Sequence, residues 1–139
     1  MEIMKSHCDG EVWGLALMEN GNVITTGDDN KVMCWDPKTR KNNAVGKVTD
    51  RAVKSKKGGA STLSTLPDSQ CSRAVAVNSN WIVIAGNDGC VSVRSCRDPH
   101  TECHLLKDSA EWIEVMAFSP DNMWLAVGSH DNNIYIYDT

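Results

Sequence analysis

One pattern occurs three times along this chain, and it limits the fold more than any other feature. The first copy runs Glu11-Val12-Trp13-Gly14-Leu15-Ala16-Leu17, a turn, Val23-Ile24-Thr25-Thr26-Gly27, a second turn Asp28-Asp29-Asn30, then Lys31-Val32-Met33-Cys34-Trp35-Asp36. The second has Arg73-Ala74-Val75-Ala76-Val77, Ile82-Val83-Ile84-Ala85-Gly86, Asn87-Asp88-Gly89 and Cys90-Val91-Ser92-Val93-Arg94. The third has Ile113-Glu114-Val115-Met116-Ala117-Phe118, Trp124-Leu125-Ala126-Val127-Gly128, His130-Asp131-Asn132 and Ile134-Tyr135-Ile136-Tyr137-Asp138. Each copy reads as three short strands and two tight turns, the second turn carrying an Asp. The first-turn segments Glu19-Asn20-Gly21-Asn22, Asn78-Ser79-Asn80 and Ser119-Pro120-Asp121-Asn122 supply residue types that tolerate turn geometry. No segment sustains a helical period, so the chain reads as all-β.

The matching glycines Gly27, Gly86 and Gly128 lie 59 and 42 residues apart. A period of roughly 40–45 residues is that of one four-stranded propeller blade. The expectation is a partial β-propeller of about three such blades, near 7–48, 70–106 and 110–139, the last incomplete. Outer strands are expected at Ala44–Val48 and Glu102–Leu106, and Met1–Lys5 reads as the outer strand of a preceding blade. The excess length between copies one and two falls at about 49–69, where Gly58-Gly59 and Ser/Thr residues mark a surface insert. The first strand of each copy is a near-continuous apolar run, expected to be buried on both faces. A ring takes about 4–8 blades, so three copies are expected to be a piece of a longer protein whose remaining blades are its first partners.

Net charge is −4, unevenly placed. Residues 38–57 hold eight Lys or Arg against Asp50 alone, a net of +7, which leaves the remainder at −11. An acidic body with one basic stretch does not make the basic face that nucleic-acid binding needs. No stretch approaches the length of a membrane span. The six cysteines make an even count, but residues 1–7 lack the apolar run of a signal peptide. Cys34 and Cys90 sit inside strand patterns, where a reduced thiol acts as a small apolar group. The expected compartment is reducing and cytoplasmic.

Polar residues in the first copy form a set. His7 before the first strand, a hydroxyl from Thr25 or Thr26, Asp29 in the turn and the Trp35 indole can close a buried hydrogen-bond network. Such a set is structural, since a His–Asp pair without a nucleophile satisfies only part of a catalytic triad. Copies two and three keep Asp88 and Asp131, with Arg94 and Tyr137 at the Trp35 position and no matching His. Those blades are expected to be held mainly by packing.

The string from His7 through Trp35-Asp36 resembles a WD repeat. Two segments, Gly10–Ala16 and Leu125–Tyr137, are similar to the echinoderm microtubule-associated protein-like family. That resemblance implies paired propellers, no catalysis and association with microtubules in the cytoskeleton. The basic insert departs from the family pattern, and the family's HELP motif and amino-terminal coiled coil are absent from these residues.

Candidate partner-binding residues follow from blade geometry: Asp9, Glu11, Asn30, Trp112, His130 and Asn132 in loops at one end of the blades, with Lys54, Lys56 and Lys57 in the basic stretch. Tubulin, with its acidic tails, is the partner the resemblance implies for that stretch. Cys96, His100, Cys103 and His104 offer four metal ligands in a C-x3-H-x2-C-H spacing. That spacing matches no common zinc module, so the segment reads as an inter-strand turn with no metal and no cofactor. There is no phosphate-cradling Gly loop and no nucleophile elbow. The reading is a non-enzymatic scaffold, with an adaptor role in a ubiquitin-ligase receptor or ciliary transport assembly as the alternative.

Overall fold

Hydrogen-bonded turns set the architecture. In each repeat the turn Asp accepts the backbone N–H two residues on: Asp29 from Lys31 at 3.1 Å, Asp88 from Cys90 at 3.1 Å and Asp131 from Asn133 at 2.9 Å. The residue after each Asp takes the left-handed conformation, with φ of 62° at Asn30, 68° at Gly89 and 68° at Asn132. Gly and Asn are the types that reach this region at low cost. A computed structural model describes residues 7, 10–39, 41–47, 72–99 and 102–139. Asp9, Lys54, Lys56, Lys57, His100, the Met1–Lys5 strand and the insert at 49–69 lie outside the described residues.

The described residues form strands and no helix. The first sheet is β1 (Val12–Leu17), β2 (Val23–Gly27), β3 (Lys31–Asp36) and β4 (Lys41–Lys47). The second is β5 (Ser72–Val77), β6 (Trp81–Gly86), β7 (Val91–Ser95) and β8 (Glu102–Leu106). The third is β9 (Ile113–Phe118), β10 (Trp124–Ser129) and β11 (Ile134–Asp138). All are antiparallel meanders in chain order. The described residues form an open partial propeller of three blades, the third with three strands.

Blade one packs on blade two through Ile24, Val32, Val75, Ile82 and Ile84. Blade two packs on blade three through Ala74, Ala76, Val83, Ala85, Val91, Ile113, Met116, Leu125 and Val127. Each fully buried Ile or Leu contributes about 1.5–3 kcal/mol. The packing needs small residues where inner strands meet. A Cβ on Gly14 would lie 2.3 Å from Thr26 Oγ1 and 3.0 Å from Val75 Cγ1 across the blade boundary.

Three expectations change. The outer strand of blade one begins three residues earlier than Ala44, because Asp36 accepts the N–H groups of Lys38 and Thr39 and turns the chain straight back. The start of the basic stretch is therefore a paired strand and not a loop. Inner strands are not uniformly buried on both faces either. In β5, Ala74, Val75 and Ala76 are all buried between neighbours, whereas Leu15 and Leu17 of β1 are 64% and 69% exposed and Val115 of β9 is 60% exposed. An apolar run marks an inner strand, but a second blade must be present for its other face to close.

Candidate protein-interaction face

Each inner strand starts with a β-bulge. The register slips between Val12 and Gly14, between Ser72 and Ala74, and between Ile113 and Val115. The extra residues are Trp13, Arg73 and Glu114. A bulge re-aims the side chain it inserts, and here it does so at the same end of three successive blades.

Behind this end lies the polar set of blade one. Trp35 Nε1 donates to Thr25 Oγ1 at 2.9 Å, Thr25 Oγ1 lies 3.0 Å from His7 Nε2, and His7 Nδ1 lies 2.5 Å from Asp29 Oδ1. The His7 and Asp29 side chains are 0% and 5% exposed. One consistent proton assignment has Trp donating to Thr, Thr to His and His to Asp. The hydroxyl is that of Thr25; Thr26 faces blade two and its buried Oγ1 has no partner among the described residues.

Blade three has its own version. Ser109 stands 22 residues before Asp131, the same interval as His7 to Asp29. Its hydroxyl lies 2.7 Å from Ser129 Oγ and 3.2 Å from Asp131 Oδ2, while Tyr135 donates to that same oxygen at 2.6 Å. Hydrogen bonding, first from Tyr135, holds the Asp131 carboxyl down at about 2. Tyr137, at the Trp35 position, donates instead to Asp108 Oδ2 at 2.9 Å. Burial, then the adjacent Asp108 carboxylate, pushes its phenol above the ordinary value. Beside its packing on blade two, blade three thus carries a hydrogen-bonded set that smaller side chains build from different positions. In blade two, Ser92 donates to Glu102 at 2.5 Å and the buried Arg94 donates to the Pro99 carbonyl at 3.1 Å.

In front of these sets a ladder of rings and charges crosses all three blades. Trp13 Nε1 donates to Asp28 Oδ1 at 2.6 Å. The Arg73 guanidinium carbon sits 4.4 Å from the Trp13 ring centre and 4.7 Å from that of Trp112. Arg73 Nε donates to Asn87 Oδ1 at 3.0 Å. Trp112 stacks on His130 at 4.4 Å with planes 26° apart, and His130 Nε2 lies 3.2 Å from Glu114 Oε2. Trp13 is 42% exposed.

Of the sequence candidates, Trp112 and His130 fall within the ladder. Glu11 flanks it, its backbone N–H donating to Asp28 Oδ2 at 2.8 Å. Asn30 and Asn132 serve the turns through their positive φ. Trp13, Arg73, Asp28 and Glu114 were missed; the aligned bulge positions carry no signal in a single strand. Among the described residues no group of three His, Cys, Asp or Glu side chains comes together to hold a metal. Cys103 is the extra residue of a bulge in β8, where the register slips between His104 and Glu102. His104 meets Trp81 edge-on at 6.4 Å, and Cys96 Sγ contacts the Asn78 carbonyl at 3.4 Å. Burial, then Glu19, pushes the Cys96 thiol up, away from the thiolate a metal needs.

Comparisons with known proteins agree with this architecture. The family profile described as WD domain, G-beta repeat matches residues 1–36 and 100–138. The ciliary WD repeat-containing protein ctxp80 of Euplotoides octocarinatus is 49% identical over 142 residues, across 99% of this chain and 20% of that protein. Echinoderm microtubule-associated protein-like 1 of Homo sapiens is 30% identical over 138 residues, across 97% of this chain and 14% of that protein. The chain thus spans a fifth or less of these relatives. Among solved structures, the WD40 β-propeller domain of Doa1 superposes with a TM-score of 0.72 at 14% identity, covering 97% of this chain and 40% of that one.

Proposed function

The chain belongs to the WD domain, G-beta repeat family, and from that premise we propose that it forms part of a non-enzymatic protein-interaction scaffold in a microtubule-associated, ciliary protein. One observation carries the reading. The Asp28–Trp13–Arg73–Trp112–His130–Glu114 ladder presents the exposed Trp13 with half-buried Arg73 and Trp112 across three blades. Trp and Arg are the residue types that dominate binding energy at interfaces. The buried His7–Thr25–Trp35 set and the packed blade boundaries behind it hold those side chains in place, so a partner meets a surface that costs little ordering entropy to engage.

Microtubule association rests on relatives named for it, at 30% identity or below. A ciliary location rests on the name of the relative at 49%. Both names support a cytoskeletal location for the proposed scaffold. An adaptor role in ciliary transport is the second reading, favoured by the same name.

Co-sedimentation of the full-length protein with microtubules tests the first reading. The expected result is pelleting that weakens several-fold in a Trp13→Ala/Trp112→Ala variant of unchanged unfolding temperature. Full-length protein that stays in the supernatant at saturating microtubule concentrations would overturn it. If the basic stretch 38–57 adds a contact to acidic tails, pelleting also falls steeply with added salt.

A further inference from the structure

Arg73 is a charged ladder member with an unused recognition group. Its carbon is held against two indoles, its Nε is committed to Asn87, and its two terminal Nη groups have no hydrogen-bond or ion-pair partner among the described residues. With its carbon over both rings, the guanidinium has its N–H edge left for a partner. With Nε occupied, that edge is the end-on Nη1/Nη2 fork, which matches the two oxygens of a carboxylate. The acids nearest in the ladder are already engaged: Asp28 by Trp13 and the Glu11 N–H, Glu114 by His130.

We propose that Arg73, clamped between Trp13 and Trp112, is the receptor for a single Glu or Asp side chain on an extended segment of a protein partner. The proposal deepens the interaction-scaffold reading and rests on it. The acids at both ends of the ladder, with exposed Glu11 beside them, narrow the ligand further. A run of carboxylates would meet like charge on either side of the fork, so the favoured segment carries one acid flanked by neutral or basic residues. The two indoles accept the apolar stem of that acid and of its neighbours.

The test uses the full-length protein and short fluorescent peptides, acetylated and amidated at their ends, with neutral randomised flanks. Glu-centred peptides are expected to bind about tenfold more tightly than Gln-centred ones, and Arg73→Lys to remove most of that difference because an ammonium cannot grip both oxygens. Asn87→Ala, which releases Nε without altering charge, is a second variant and is expected to weaken Glu-centred binding about threefold. Equal binding of Glu- and Gln-centred sets overturns the proposal. So does Arg73→Lys protein of unchanged unfolding temperature and unchanged affinity. Tighter Arg73-dependent binding of an all-Glu peptide overturns the single-acid specification. Gln-centred peptides that bind only with a free carboxyl terminus would move the ligand from a side chain to a chain end, against the proposal. Microtubule pelleting of the Arg73→Lys protein separates the two readings: normal pelleting with lost peptide binding leaves the scaffold reading intact, and lost pelleting with normal peptide binding overturns Arg73 as the carboxylate receptor.

Discussion

Blades one and three solve the same problem with different chemistry. Both tie the residue before the inner strand to the Asp of the second turn, 22 positions on. Blade one does it with a large His whose ring spans from Thr25 to Asp29 and links to the Trp35 indole, all buried. Blade three does it with Ser109, whose short side chain leaves room for Ser129 and Tyr135 to reach the same carboxylate near solvent. A buried network is expensive to interrupt, because the surviving partners stay desolvated. A more open one lets water replace the missing bond. The position is shared, and the energetic weight placed on it is not.

That contrast can be broken by mutation. The largest effect is expected from Trp35→Ala, which removes a buried indole and its bond to Thr25 and should cost about 3–5 kcal/mol in urea unfolding. His7→Ala follows at about 3 kcal/mol, since it takes the imidazole away from the buried Asp29 carboxylate. Should His7→Ala cost no more than Ser109→Ala, the distinction between the blades fails. Ser109→Ala is expected to cost about 1 kcal/mol, being partly replaced by water. Tyr137→Phe, which loses a bond to the exposed Asp108, should stay within about 0.5 kcal/mol.

Acid sharpens the comparison in a different way. The Asp131 carboxyl is held from an ordinary 3.8 down to about 2. Its folded value is depressed, so its contribution is fully present above pH 3.8 and is lost as pH falls through about 2. NMR of the Asp131 carboxyl carbon should show titration near pH 2, and Asp131→Asn should remove that step from the stability profile of blade three. A midpoint near 3.8 would mean that Tyr135 and the two serines do not bind the carboxylate in solution.

Much of the architecture was legible beforehand for local reasons. Alternating β-formers, Asn/Gly/Asp turns and a repeat interval are all properties of neighbours in sequence, and they yield three blades, their strand order and the outer strand Glu102–Leu106. The network residues His7, Asp29 and Trp35 could also be named, because each sits at a fixed place within one repeat. Thr25 could not be separated from Thr26, since the choice depends on which face of β2 meets blade two. The substitution of Ser109 for His7 was invisible because a Ser before a strand is an ordinary loop residue.

What the sequence determined by itself was the repeat and therefore the blade, since period and turn chemistry act over a few residues. What only the tertiary structure decided was the ladder. Trp13, Arg73 and Trp112 lie about 40–60 residues apart on three different blades, and they meet because an extra residue at the head of β1 and β5 turns two of them toward the loop that carries the third. Contacts between blades depend on how whole sheets pack, and no single strand carries that information.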